Sequence, residues 1–158
     1  MRETTLCYLQ KDSCYLMLHR VKKQNDANHD KWIGVGGGLF PGETPLECAI
    51  REVWEETGYT MQDATYRGVV NFHCDMAEDE IMHLFTSENF TGEPIECNEG
   101  DLQWVPIDLV PSLPGWVGDR IFLKLLKEGA PFFALSLYYE GDNLISAILD
   151  GQPIPLPE

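Results

Sequence analysis

Apolar residues gather in 4–10 and again in 13–20, which read as two strands split by Lys11-Asp12 in a hairpin-like pair. Residues 21–31 are polar, with two Asn and two Asp, and read as a loop. A glycine-rich stretch follows at 32–42, then a helical pattern at 44–57. Further strands are predicted near 66–74, 80–87 and 102–106, and a second helix near 116–128. Two last strands, 132–139 and 143–149, flank Glu140-Gly141-Asp142. Residues 151–158 hold three prolines and read as a frayed, Pro-rich C-terminal tail. Strands mixed with two helices predict an α/β (α+β) sandwich around one sheet, a single domain over residues 1–150.

The first helix is bounded by its own residues. Thr44 suits the N-cap, Pro45 the first helical position and Glu47 the third, and Gly58 is a natural stop. At about 100° per residue, Leu46, Ile50, Val53 and Thr57 share a stripe that predicts the core face. Glu52, Glu55 and Glu56 share a different arc. Like charges four apart repel, and late in a helix the macrodipole disfavours anions. Two local rules broken on one face point to a functional site. A solvated acidic face would show the same three glutamates. Three carboxylates on a rigid face suit a hard divalent cation, which takes oxygen ligands and shares them with substrate phosphates. The glycines just upstream let backbone come close to a substrate and turn into the helix.

Charge narrows the classes. The formal net charge is −15 and the pI about 4.5, so nonspecific binding to a nucleic-acid polymer is not expected. A phosphate-bearing substrate would need local cations, and bound metal is the obvious source. The five cysteines are odd in number, widely spaced and without C-x-x-C, which predicts free thiols rather than a disulfide framework or zinc site. No apolar run is long enough to span a membrane, and Met1 to Thr5 leads into a strand rather than a signal-peptide block. A cytoplasmic location is the expectation.

Gly37, five residues, Glu43, seven residues, then Arg51-Glu52-Val53-Trp54-Glu55-Glu56-Thr57-Gly58 resembles the Nudix box, G-x5-E-x7-R-E-U-x-E-E-x-G-U, where U is a bulky aliphatic residue. Every fixed position is present, and Tyr59 stands where an aliphatic is usual. The resemblance implies an α/β/α sandwich with a mixed sheet and hydrolysis of a nucleoside diphosphate linked to another moiety. It implies Mg²⁺, with Mn²⁺ as the alternative, on Glu52, Glu55 and Glu56 with Gly37, and supporting roles for Glu43 and Arg51. Glu99 is the candidate for a later acid that serves as base, although it also reads as one more surface acid after Glu93 and Glu96. Arg20, at a strand end, is a candidate for a phosphate contact, or an exposed structural arginine.

Outside the box the chain resembles oxidised-purine nucleoside triphosphatases of the MutT type. Lys31-Trp32-Ile33-Gly34-Val35-Gly36-Gly37 is similar to their approach to the box, with Ile33 where they carry a base-contacting asparagine. Pro114-Gly115-Trp116-Val117-Gly118-Asp119 is similar to their stacking tryptophan and aspartate pair, with Gly118 in place of the first aspartate. The resemblance implies a substrate site of Arg20, Gly36, Gly37, Trp116 and Asp119, and a small nucleotide as partner of a monomer or homodimer. Trp116 also fits a helix-packing residue. ADP-ribose, a dinucleoside polyphosphate or a capped RNA end are other substrates this chemistry would take. A Nudix-fold module that senses a nucleotide without cutting it is the reading from a different class, and three intact glutamates weigh against it.

Overall fold

The computed structural model describes residues 1–22, 28–75 and 77–157. Part of the polar loop predicted at 21–31 therefore lies outside the described residues. Strand β1 (Arg2–Lys11) turns through Asp12 and Ser13, both at positive φ, into β2 (Cys14–His19). A two-residue turn of this kind matches the right-handed twist of a hairpin. The hairpin is short, pairing Gln10 with Tyr15 and Lys11 with Cys14. Along the rest of its length β1 runs parallel to β6 (Glu80–Ser87), while β2 pairs antiparallel with β8 (Asp101–Pro106) and β3 (Trp32–Ile33). Beyond β6 come β5 (Thr65–Cys74), β9 (Phe133–Glu140), β10 (Asn143–Leu149) and β11 (Gln152–Ile154), which completes a mixed sheet. A separate ribbon joins β4 (Tyr59–Met61) to β7 (Phe90–Gly92).

Helix α1 (Pro45–Thr57) covers one face of the sheet and α2 (Asp119–Lys127) the other. The alternation of β1 shows how. Leu6 and Tyr8 join the cluster closed by Phe122, Leu123 and Leu126 of α2. Cys7 and Leu9 join the cluster closed by Ala49 and Val53 of α1. A strand segment buried on both faces is apolar without a break, as Leu6 to Leu9 are at the centre of β1. This is the α/β/α sandwich with a mixed sheet that the resemblance implies. Among the described residues no helix is long and apolar enough to cross a membrane.

Four readings change. The core face of α1 is rotated toward the glutamates: Cys48, Ala49, Val53, Glu56 and Thr57 are buried, while Leu46 and Ile50 are exposed. Residues 151–158 are not simply frayed, since Gln152–Ile154 pairs with β10. The second helix begins at Asp119, so Trp116 precedes it, after a 3-10 turn over Ile107–Ser112. Strands β3, β4, β7 and β11 are two or three residues long, too short to show a period. All five cysteines are free thiols.

Candidate active site

Strand β1 positions the glycine-rich loop. Val35 exchanges backbone hydrogen bonds with Cys7, Thr5 N–H donates to the Gly37 carbonyl at 2.9 Å, and Leu39 N–H donates to the Glu3 carbonyl at 3.1 Å. The loop lies so close that a Cβ at Gly36 would fall 1.9 Å from the Thr5 carbonyl oxygen, and one at Gly37 2.6 Å from Glu52 Oε1. Only glycine fits at 36, where backbone blocks a side chain, and one at 37 would push the Glu52 carboxyl from its place. The loop then enters α1 through a full capping box: Glu47 N–H donates to Thr44 Oγ1 at 3.1 Å, and Thr44 N–H donates to Glu47 Oε1 at 2.9 Å. Gly58 closes the helix in the left-handed conformation, its N–H on the Trp54 carbonyl.

The acids separate into an inner and an outer set. Glu56 is buried at 8% exposure, and its Oε2 accepts from Gly36 N–H at 3.1 Å. Glu52 is half-buried beside it, and Glu55 faces solvent. Residues 97–100 run against the end of β2: Lys22 Nζ donates to the Cys97 carbonyl at 2.8 Å, and Lys22 N–H to the Glu99 carbonyl at 3.3 Å. This delivers the Glu99 carboxyl into hydrogen-bond contact with Glu56. Burial, then Glu99, then Glu52 push the Glu56 carboxyl far above the usual carboxylate range. Burial also raises Glu52. Arg20 Nη1 donates to Glu99 Oε2 at 3.3 Å, so Arg20 is held against the acid row.

Arg51 binds the outer set. Its Nε and Nη2 donate to Glu43 Oε2 and Oε1 at 2.7 and 2.9 Å, its Nη1 to Glu52 Oε1 at 2.8 Å and to Glu55 Oε2 at 3.2 Å, and Nη2 also to the Gly38 carbonyl at 3.0 Å. Arg51, then the Phe40 N–H, hold Glu43 down at about 2. Among the described residues no three His, Cys, Asp or Glu side chains already converge on one point as a metal cage. Arg51 draws Glu52 and Glu55 outward, and Glu56 turns in to Gly36. The residues nonetheless fit a hard cation. Every available side-chain donor is a carboxylate oxygen. Two carboxyl groups in hydrogen-bond contact need a proton or a cation between them, and Glu56 and Glu99 are such a pair. Gly37 contributes clearance beside Glu52, its carbonyl being directed at β1.

A second cluster lies on the α2 side of the sheet. Trp116 packs edge-on against Phe72 and Tyr139, with ring centroids 5.3 and 5.1 Å away. Its indole N–H donates to Asn28 Oδ1 at 2.6 Å, and Lys31 Nζ lies 4.6 Å over the ring. Trp116 is thus both a packing residue and the wall of a cavity of about 10 Å³ shared with Tyr8, Trp32 and Asp119. A Cβ at Gly118 would fall 2.6 Å from both Leu137 Cδ1 and the Tyr139 hydroxyl oxygen, so the first aspartate of the resemblance has no room here. Asn28, Lys31, Tyr8 and Tyr139 are members of this cluster that the sequence does not announce, because they come from a loop, β1 and β9. Burial pushes the Asp119 carboxyl up to about 7. A raised folded-state value means the neutral acid is favoured, so its contribution to stability is complete below the ordinary value of 3.8 and is lost as pH rises toward 7. Urea unfolding at stepped pH is expected to show a decline on the order of 2 kcal/mol across that window after allowance for partial exposure, absent in Asp119→Asn.

The NUDIX domain profile matches residues 2–126. The chain belongs to the Nudix hydrolase family. It is 33% identical over 122 residues to the oxidized purine nucleoside triphosphate hydrolase of Danio rerio, covering 76% of this chain and 78% of that one. It is 28% identical over 160 residues to the uncharacterized Nudix hydrolase YvcI of Bacillus subtilis, covering 98% of each. Among solved structures, a mutator MutT protein of Bacillus halodurans superposes with a TM-score of 0.85 at 26% identity, over 97% of this chain and all (100%) of that one. Nudix hydrolases generally use divalent metal ions.

Proposed function

We propose that the chain is a Mg²⁺-dependent nucleotide diphosphatase that converts a purine nucleoside triphosphate, 8-oxo-dGTP or dGTP, to the monophosphate and pyrophosphate. The observation that carries the hydrolytic part is buried Glu56, seated on the Gly36 N–H and sharing a hydrogen bond with Glu99 beside Glu52. Glu52, Glu56 and Glu99 would hold the metal, with Glu55 released from Arg51 as a further ligand. Mg²⁺, or Mn²⁺ in its place, supplies polarisation of the phosphoryl oxygens and offsets their charge. Glu99 is also the candidate base, since its carboxyl can take a proton from an attacking water while Arg20 holds it in place. Gly36 and Gly37 let phosphate approach the backbone. The purine end rests on the Trp116 and Asp119 cluster, and on similarity to relatives named for oxidised purine nucleotides. A purine does not fit a cavity of about 10 Å³, so binding requires this cluster to open, and a base stacked on the ring face that Lys31 covers requires Lys31 to move. The proposed setting is the cytoplasm, with residues 1–150 and the β11 strand that joins their sheet as one catalytic domain, and nucleotide-pool sanitation as the role.

Phosphate and pyrophosphate release across 8-oxo-dGTP, dGTP, ADP-ribose and diadenosine polyphosphate with Mg²⁺ tests this reading. Preference for 8-oxo-dGTP with pyrophosphate as product supports it. Preference for another substrate keeps the hydrolysis and removes the base pocket. Trp116→Ala is expected to raise KM for purine substrates about tenfold, the loss of one stacked base. An unchanged KM for every purine takes Trp116 out of the site.

A further inference from the structure

The Tyr8 hydroxyl is a group that the fold does not account for. Tyr8 sits on β1 at 0% exposure, its ring packed on Tyr15 and Phe122 with centroids 5.1 and 6.3 Å away. Phenylalanine would pack the same way. Among the described residues, its hydroxyl is the buried side-chain oxygen or nitrogen that makes no well-formed hydrogen bond; the Gly34 backbone beside it can donate to the oxygen but leaves the hydroxyl proton without an acceptor. Burial without an acceptor leaves lost hydration uncompensated, and such a group calls for a reason.

Its surroundings suggest one. Tyr8 lines the same cavity as Trp32, Trp116, Asp119 and Arg120. The volume, about 10 Å³, is that of a single water. The ionisable groups that face Asp119 from elsewhere in the fold are the Tyr8 hydroxyl from β1 and the Tyr139 hydroxyl from β9, with Arg120 next to it on α2. The Tyr139 oxygen accepts from the Gly118 N–H at 2.7 Å and fills the space where the first aspartate of the resemblance would stand. One acidic side chain is therefore left to read a base, with a buried donor behind it.

We propose that Tyr8 is a positioning residue for base recognition, its hydroxyl donating through one water in the shared cavity to the Asp119 carboxyl and fixing how that carboxyl meets a purine edge. This rests on the reading of Trp116 and Asp119 as the base pocket. Donation to a carboxylate favours its charged form, so loss of the donor raises the pH at which Asp119 ionises.

Tyr8→Phe keeps the ring packing and removes one oxygen. Steady-state kinetics with dGTP and 8-oxo-dGTP and Mg²⁺, run from pH 5 to 9, are compared for Tyr8→Phe, Asp119→Asn, the double variant and Trp116→Ala, each checked by thermal unfolding. The expected result for Tyr8→Phe is a KM about tenfold higher, as for a lost hydrogen bond to a charged group, with the pH midpoint of kcat/KM about one unit higher. In the Asp119→Asn background Tyr8→Phe moves no pH midpoint and raises KM less, because the titrating carboxyl is gone and only a neutral amide oxygen is left to accept. Tyr8→Phe without effect on KM or the pH midpoint, while Trp116→Ala raises KM, overturns the role of Tyr8 and leaves the pocket standing. Equal effects of Tyr8→Phe with and without Asp119 overturn it too, as the mark of a merely structural change. No effect from either Tyr8→Phe or Trp116→Ala removes the pocket and the proposal together.

Discussion

Glu56→Gln is expected to lower turnover about 10³-fold while the melting temperature holds or rises, since loss of a metal-ion contact costs several kcal/mol of transition-state stabilisation. The two halves of the expectation come from one environment. Gln keeps an oxygen to accept from the Gly36 N–H and gains an N–H₂ that can donate to Glu99. It thus satisfies the buried site without the proton that the two carboxyls must otherwise share. What Gln lacks is the negative charge that a divalent ion requires. Turnover with Mg²⁺, Mn²⁺ binding by calorimetry and thermal unfolding together check this. A folded Glu56→Gln protein that binds Mn²⁺ as the wild type does, with turnover within tenfold, would remove Glu56 from the metal site. Because binding must displace the shared proton, metal affinity is expected to increase with pH.

Glu56 also shows where sequence reasoning succeeds and fails. The ends of α1 are local chemistry, so Thr44, Pro45, Glu47 and Gly58 could be read before any fold was known. The box glutamates were legible for the same reason, as spacing on one helix. Which face of that helix is buried is decided elsewhere. Leu46 and Ile50 fall on the expected core stripe with Val53 and Thr57, yet they are 43% and 37% exposed while Glu56 is 8% exposed. The glycine loop on β1 and the segment carrying Glu99 come from both sides to satisfy that glutamate, and neither contact has a local signal. Glu99 could be named from the resemblance alone, because its neighbours Glu93 and Glu96 make it look like surface. In the second cluster, Trp116 and Asp119 could be named, but Asn28, Lys31 and Tyr139 reach them from distant parts of the chain.

Arg51→Met is expected to destabilise the protein by about 2 kcal/mol, a fall in melting temperature of about 4–8 °C, and to lower activity as well. One guanidinium answers three carboxylates and the Gly38 carbonyl, and it stacks 3.7 Å over Phe40. Removing it takes away the guanidinium that bridges Glu43, Glu52 and Glu55, and leaves the loop between Gly38 and Glu43 without its tie to α1. The cost stays below that of a fully buried pair because Arg51 is 18% exposed and Glu55 is 47% exposed, so water screens part of the loss. Arg51→Lys is expected to recover charge but little stability, since an ammonium cannot make the fork to Glu43 and reach Glu52 and Gly38 at the same time. Divalent metal should narrow the gap between Arg51→Met and the wild type, because the ion replaces the lost positive charge at Glu52 and Glu55. Thermal unfolding of the three proteins at several Mn²⁺ concentrations decides it. A gap that stays constant with metal would mean that Arg51 acts on the glycine loop alone, and that Glu52 and Glu55 do not pass from the arginine to the ion when it binds.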